Sequence, residues 1–251
     1  LDSTGEHRVA ILQPSYLPWL GAFDLMARCD SFVFHDDVQY TKQDWRNRNR
    51  IKSAQGWRWL TVPVEHAGTQ ALIRDVRICY ATDWVRDHLN LLRESYRRAP
   101  HFEAILAVVG PCLEARPAFL RDLCVPLMVA VADRVGIRPR FFLASDLAQP
   151  GRRQEKVLNL CAALGATHYL NGAAGRAIYD PAAFAARGIT LEFQVYRHPV
   201  YSQGTGHFIP HLSAVDLLCH HGPAAREILL AGGGPPPEAV PAPPALAGAL
   251  A

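Results

Sequence analysis

Val9-Ala10-Ile11-Leu12-Gln13-Pro14, then Leu20-Gly21-Ala22-Phe23-Asp24-Leu25-Met26-Ala27, then Ser31-Phe32-Val33-Phe34-His35-Asp36-Asp37: these stretches decide the fold. The first is an apolar run halted by Gln-Pro, which reads as a buried strand. In the second, Leu20, Phe23 and Met26 or Ala27 recur on one helical face. The third is another apolar run, ending in polar residues. Strand, helix and strand at this spacing form a βαβ unit, so a parallel or mostly parallel sheet with flanking helices is the expected architecture, Rossmann-like in its first unit.

Working outward, residues 57–64 read as a strand stopped by Pro63. Thr82 is placed to cap a helix on which Trp84, His88, Leu92 and Tyr96 share a face. Residues 117–135 read as a long apolar helix, broken or kinked at Pro126. Residues 141–143 and 168–170 read as strands, with a helix over 152–164 between them, closed by Gly165. Residues 189–195 alternate like a strand. Ser213 is a reasonable N-cap for a helix over 213–220, with Asp216 in the position of a capping box. The expectation is one α/β domain over 9–231, preceded by a flexible 1–8. From Gly232 the chain is nearly all Gly, Pro and Ala, a composition that favours disorder.

The chain has 251 residues, 49% hydrophobic and 20% charged, with a formal net charge of +3. That is ordinary globular usage, with enough length for a sizeable core. The charge does not demand a polyanionic partner. No apolar run approaches the roughly 20 residues that span a bilayer, and the N-terminus does not read as a signal peptide. The six cysteines form no CxxC pair and no regular spacing, which fits reduced thiols and a cytoplasmic location.

Four clusters have the chemistry of a site. Gln13, Tyr16 and Trp19 lie between a strand and a helix, where parallel sheets take ligands; the same stretch also reads as a rigid turn packed by aromatics. His35-Asp36-Asp37-Val38-Gln39 ends the second strand, at the same edge. One carboxylate there suits a base, a metal ligand or an amine anchor, while the other caps a helix or pairs with arginine. Lys42, Arg46, Asn47, Arg48, Asn49, Arg50 and Lys52 are interleaved with Trp45. Arginines two apart share a side of an extended segment and suit phosphate or carboxylate; a solvated basic loop is the plain reading. His198, Tyr201, Gln203, His207 and His211 lie in a Gly- and Pro-rich loop suited to proton transfer. The histidine spacing matches no compact zinc motif, and no metal is assigned.

Gln13-Pro-Ser-Tyr-Leu-Pro-Trp-Leu-Gly21, Phe32-Val-Phe-His-Asp-Asp-Val-Gln-Tyr-Thr-Lys42, Trp45-Arg-Asn-Arg-Asn-Arg-Ile-Lys52, Trp59-Leu-Thr-Val-Pro-Val64, Tyr201 to Gln203 and Leu212-Ser-Ala-Val-Asp-Leu-Leu218 together resemble the WbqC-like family. The match runs in order over about 9 to 230. It implies small-molecule biosynthesis near surface-polysaccharide or secondary-metabolite pathways, with acyl or aminoacyl transfer to an amino sugar as one activity. Where the family usually has Leu-Leu-Phe-Asn, this chain has Leu217-Leu218-Cys219-His220, so an activated thiol beside histidines is one reading and a small apolar substitute another. The first βαβ unit is also loosely similar to nucleotidylyltransferases and class I synthetases. Their His-x-Gly-His signature is missing, since Trp19 and Ala22 stand where its histidines would be.

The expected function is therefore an enzyme transferring an acyl or aminoacyl group to, or hydrolysing, a polar intermediate. Asp36 or Asp37 would be the base or amine anchor, and His198 or His207 the proton carrier, with His198 favoured because Pro199 fixes its backbone. The arginines would hold a phosphate of a sugar nucleotide or a phosphopantetheine-linked acyl group, and Gln13, Tyr16, Trp19, Gln39, Tyr201 and Gln203 would contact substrate. Two rivals stand beside this: a cysteine-dependent hydrolase or acyltransferase with a Cys-His-Asp arrangement, and a non-catalytic module binding nucleic acid or a phosphate ligand. The partner is a small-molecule or carrier-linked substrate, nucleic acid is not favoured, and the sequence names no cofactor.

Overall fold

The computed structural model describes residues 5–42, 44–66, 68, 70–234 and the backbone of 238–239. Five parallel strands form its centre. They are β1 (Arg8–Leu12), β2 (Ser31–Phe34), β5 (Arg140–Leu143), β6 (His168–Asn171) and β7 (Thr190–Phe193), in the spatial order β5-β2-β1-β6-β7. The expected βαβ start is present: β1 and β2 pair in parallel, Val9 opposite Ser31, joined by α1 (Leu20–Ala27). The chain moves outward from β1 to β2 and β5, then returns to β6 on the other side of β1. The reversal between β1 and β6 is the point at which open parallel sheets take ligands, at the carboxyl ends of the strands.

Side-chain alternation along the strands divides the core into two layers. Ala10, Phe32, Phe34 and Leu170 face a large cluster that includes α1, α2 (Trp84–Tyr96), α3 (Phe102–Glu114), α4 (Leu120–Arg134), α8 (Ala214–His221) and α9 (Ala225–Ala231). Val9, Ile11, Val33, Tyr169, Leu191 and Phe193 face a smaller one built on α6 (Arg153–Ala163) and α7 (Pro181–Ala185), with Ala144 of α5 (Ala144–Leu147). Helices thus cover both sheet faces, as a buried parallel sheet requires.

Between β2 and β5 the chain makes a long excursion. It begins with an antiparallel hairpin, β3 (Arg48–Ser53) and β4 (Gly56–Thr61), that forms a two-stranded sheet of its own. It ends with α2, α3 and α4. Trp84, Val85, His88, Leu89, Leu92 and Tyr96 are the buried face of α2, as their spacing predicts.

Several local expectations change. Asp83, not Thr82, occupies the N-cap of α2, and its side chain caps nothing. α4 starts at Leu120 and runs through Pro126 as one helix. Ser213 does cap α8, accepting from Val215 N–H, but Asp216 turns to Tyr201 instead of closing a capping box. The N-terminal segment is pinned before residue 9: His7 N–H donates to Thr167 Oγ1, its Nε2 bonds Ser31 Oγ, and Arg8 pairs with Glu192. Most of the Gly/Pro/Ala tail lies outside the described residues. Its beginning is tied down, however. Arg197 N–H donates to Gly232 O, Gly234 N–H donates to Val195 O, and the backbone of β8 (Glu238–Ala239) pairs antiparallel with β7. Among the described residues no helix is long and apolar enough to cross a membrane.

Candidate active site

The end of β2 separates its two carboxylates. Asp36 is fully buried. Its Oδ1 accepts from Ser145 N–H, in the first turn of α5, and its Oδ2 accepts from Ser145 Oγ and from Arg121. It joins α4, β2 and α5 and has no face for a substrate. Asp37 accepts from Lys156 Nζ at 2.7 Å, and its other oxygen lies 3.7 Å from His35 Nε2. Burial holds the His35 imidazole below its usual pKa. The hairpin arginines do not neutralise these carboxylates; Arg121 and Lys156 do.

The loop after β1 turns inward. Tyr16 is fully buried, its hydroxyl bonded to His88 Nδ1, so it cannot stack on a ligand. Its hydrogen-bond partner is not among those of Asp36. Trp19 stays at the surface edge and folds back over Gly21, where an added Cβ would lie 2.4 Å from the indole. That contact gives the Trp-Leu-Gly motif a physical reason.

The hairpin has two unlike sides, because alternate residues face opposite ways. Asn49 and Ile51 point in, and Asn49 Nδ2 donates to Leu17 O. Asn47, just before β3, is also buried and donates to Val62 O. Neither asparagine can meet a substrate. Arg46, before the strand, turns to Ser15 and Asp44. The opposite side carries Arg48, Arg50 and Lys52 across from Trp57 and Trp59. Arg48 lies 4.4 Å from the Trp59 ring centre, and Arg50 lies between Trp45 and Trp57 at 5.5 and 5.1 Å. Gln39 and Lys42 are exposed.

Beside this face sits the loop after β7. His198 packs among Trp19, Tyr201, Phe208 and His211, with ring centres 5.0 to 6.4 Å apart. Its Nδ1 lies 3.0 Å from Pro199 O. A carbonyl only accepts, so Nδ1 carries the proton and Nε2 the lone pair. Nε2 is buried and has no partner. Burial, and then the neighbouring His211, hold this imidazole below its usual pKa, in the neutral state a base needs. His211 adopts a left-handed backbone, φ 58°, and its carbonyl accepts from Arg50. Lys52 donates to His207 O and to Gln203 Oε1, while Gln203 bonds both backbone groups of Ile209. Gln203 is therefore a brace for the loop, and Tyr201, buried and donating to Asp216, is another. The His207 ring is exposed.

The WbqC-like protein family model matches residues 13–228. The chain belongs to that family. An uncharacterised protein of Mycobacterium tuberculosis, Rv1507c, is 38% identical over 227 residues, covering 88% of this chain and 97% of that one. No solved structure matches. The WbqC-like motifs converge in space: Leu17 O meets Asn49, Pro18 O accepts from Ala214 N–H, and Ser213 N–H donates to Arg50 O. The family pattern thus marks a junction of the first loop, the hairpin and the start of α8, with the Trp19–His198 nest beside it.

Of the expected site residues, the structure brings Trp19 and Tyr201 to His198, with Arg50 joined to them through His211 and Arg48 farther along the hairpin over Trp59. Asp37 stands in a separate cluster with His35 and Lys156, so it is not the orienting partner of His198. Trp57, Trp59 and Lys156 were not foreseen as site residues. Lys156 had a signal, since it shares the apolar helical face of Leu160 at i+4. Burial pushes the thiols of Cys29, Cys124, Cys161 and Cys219 up, that of Cys161 to about 12, so none of these four is an activated thiol. Cys219 is the small apolar substitute. Among the described residues no three His, Cys, Asp or Glu side chains are grouped to hold a metal ion. Surface hollows of about 280 to 370 Å³ lie elsewhere, along α2 and α3 and beside Arg138 and Arg226, with both charge signs in their walls.

Proposed function

We propose that this WbqC-like chain is an enzyme that transfers an acyl or aminoacyl group to, or hydrolyses, a polar biosynthetic intermediate, with His198 as its base. The family resemblance points toward surface-polysaccharide or secondary-metabolite synthesis. One observation carries the reading: the Nε2 lone pair of His198, fixed by the Pro199 carbonyl, is buried without a partner in an aromatic nest beside a cationic face. Buried polar atoms are nearly always paired, and an acceptor lacking a donor suits an incoming amine, hydroxyl or water. As that nucleophile adds to the acyl carbonyl, Nε2 takes its proton. As the adduct collapses, the imidazolium returns the proton to the leaving group. The high thiol pKa values weigh against the cysteine-dependent rival.

The test is turnover of a panel of acyl and aminoacyl thioesters with amino-sugar nucleotides or water as acceptor, read by thiol release. His198→Ala should lower turnover by about 100- to 10,000-fold, with the far-ultraviolet circular dichroism unchanged. His207→Ala, on an exposed ring, should stay near wild type. Wild-type turnover by the His198 variant would remove the proposal.

A further inference from the structure

We infer that the outer face of the β3–β4 hairpin is the binding platform for a nucleoside diphosphate, the handle by which substrate is delivered to His198. The inference builds on the proposed reaction but is tested without turnover.

Large exposed hydrophobic side chains are few on this molecule. Among the described residues they are Trp45, Trp57, Ile178 and Val200, and the two tryptophans, 44% and 43% exposed, stand on either side of Arg50. Indoles left in water without a packing role mark contact surfaces. These are joined in one cluster: Trp45 to Trp59 at 5.4 Å, Trp59 to Trp57 at 5.5 Å, with Arg48 over Trp59. The flat faces suit a base, since every nucleobase has a π-surface.

The cations on the same face suit the diphosphate. Arg50 donates to the His211 carbonyl, and its Nε is buried without a partner. Lys52 donates to a carbonyl and an amide oxygen. Among the described residues neither is hydrogen bonded to a carboxylate. The acids nearby are committed elsewhere: Asp44 to Arg46 and Thr41, Glu94 to Arg58, and Asp216, within electrostatic reach of Lys52, to Tyr201. A guanidinium within 5.5 Å of two indole rings and anchored to a backbone carbonyl has less freedom to lose on binding a phosphate in a bidentate fork.

The platform also leads to the proposed base. Arg50 holds His211, whose ring touches those of His198 and Trp19 at 5.0 and 5.4 Å. A diphosphate at Arg50 and Lys52 therefore places its attached group beside the nest. The small extent of the platform, one hairpin with three indoles, and the overall charge of +3 favour a single nucleotide over a polynucleotide.

The test is quenching of tryptophan fluorescence, checked by calorimetry, with UDP, ADP, uridine and inorganic phosphate as separate probes. UDP or ADP should quench saturably, and each should bind more tightly than uridine or phosphate alone; the tighter of the two distinguishes a sugar nucleotide from coenzyme A as the source. Trp57→Ala, on an exposed side chain, and Arg50→Lys, which keeps the charge but loses the fork, should each weaken binding by about tenfold or more, with melting temperatures confirming that both fold. Absence of saturable binding of either diphosphate, equal binding of phosphate alone, or unchanged affinity in both variants would overturn the inference. So would a single-stranded oligonucleotide binding far more tightly than UDP and ADP with a steep salt dependence. Nucleotide binding without any His198-dependent turnover would fault the reaction and leave the platform standing.

Discussion

Two imidazoles show how one residue type takes opposite roles by its surroundings. His198 sits at the surface edge with its lone pair unclaimed. His88 has its Nδ1 bonded to the Tyr16 hydroxyl, and burial lowers its pKa from 6.5 to about 4. The folded state therefore resists the proton that the unfolded chain accepts. Between pH 6.5 and 4 the unfolded chain binds more protons, so stability is full above about 6.5 and falls as pH drops toward 4. The loss attributable to this group is on the order of 3 kcal/mol. Urea midpoints at pH 7 and pH 4.5 should show it. In His88→Gln, where an amide can still bond Tyr16 and cannot charge, the difference between the two midpoints should shrink. An equal fall in both proteins would assign the acid sensitivity to other groups.

At the scale of elements, α1 offers a test with a reversed sign. Gly21 lies in its first turn, and an alanine in a helix is ordinarily more stable than glycine by about 0.5–1 kcal/mol. Here the indole of Trp19 occupies the space of the new methyl. Gly21→Ala should therefore lower the melting temperature, and it should reduce turnover by displacing Trp19 from His198 and His211. A stabilised, fully active variant would mean that Trp19 has room to move without consequence. The β1–α1–β2 unit was legible because its apolar runs are unbroken and differ in period. Of the hairpin, β4 was legible within residues 57–64, but β3 was not, because Arg48-Asn49-Arg50 looks uniformly polar. Only the fold shows that Asn49 is an inward residue satisfying the Leu17 carbonyl. Tyr16 misled for a similar reason: an aromatic after a strand is the same letter whether it faces ligand or core. α3 went unread because Gly110-Pro111 interrupts an otherwise apolar stretch that nevertheless stays helical. The pairing of Asp36 with Arg121 and Ser145 joins residues far apart in the chain, which no local pattern reveals.

At the scale of the whole molecule, the segment that follows α9 belongs to the sheet. Gly232 and Gly234 hold the strand extension at 195–197, and Arg28 Nη2 donates to Gly234 O. Truncation after Ala231 removes these bonds, together with those from Gly232 and Gly233 N–H to the end of α9 and the β7–β8 pairing, each bond worth roughly 1 kcal/mol. At about 2–4 °C per kcal/mol for a chain of this size, the melting temperature should fall by several degrees. A truncated protein that melts with the full chain would show these bonds to be dispensable.

The strand order has a kinetic consequence. β1 is the centre of the sheet, yet of its two neighbours only β2 is close in sequence; Val9 pairs with Tyr169, and Ser31 with Arg140. Each of these pairings closes a loop spanning more than a third of the chain, and the entropy of closure must be met before the contacts return any energy. During synthesis, β1 and β2 leave the ribosome long before either distant partner exists. The nascent β1–β2 pair must keep both of its apolar edges out of trouble until β5 and then β6 arrive, so aggregation during biogenesis, more than stability of the finished protein, is what should limit its yield.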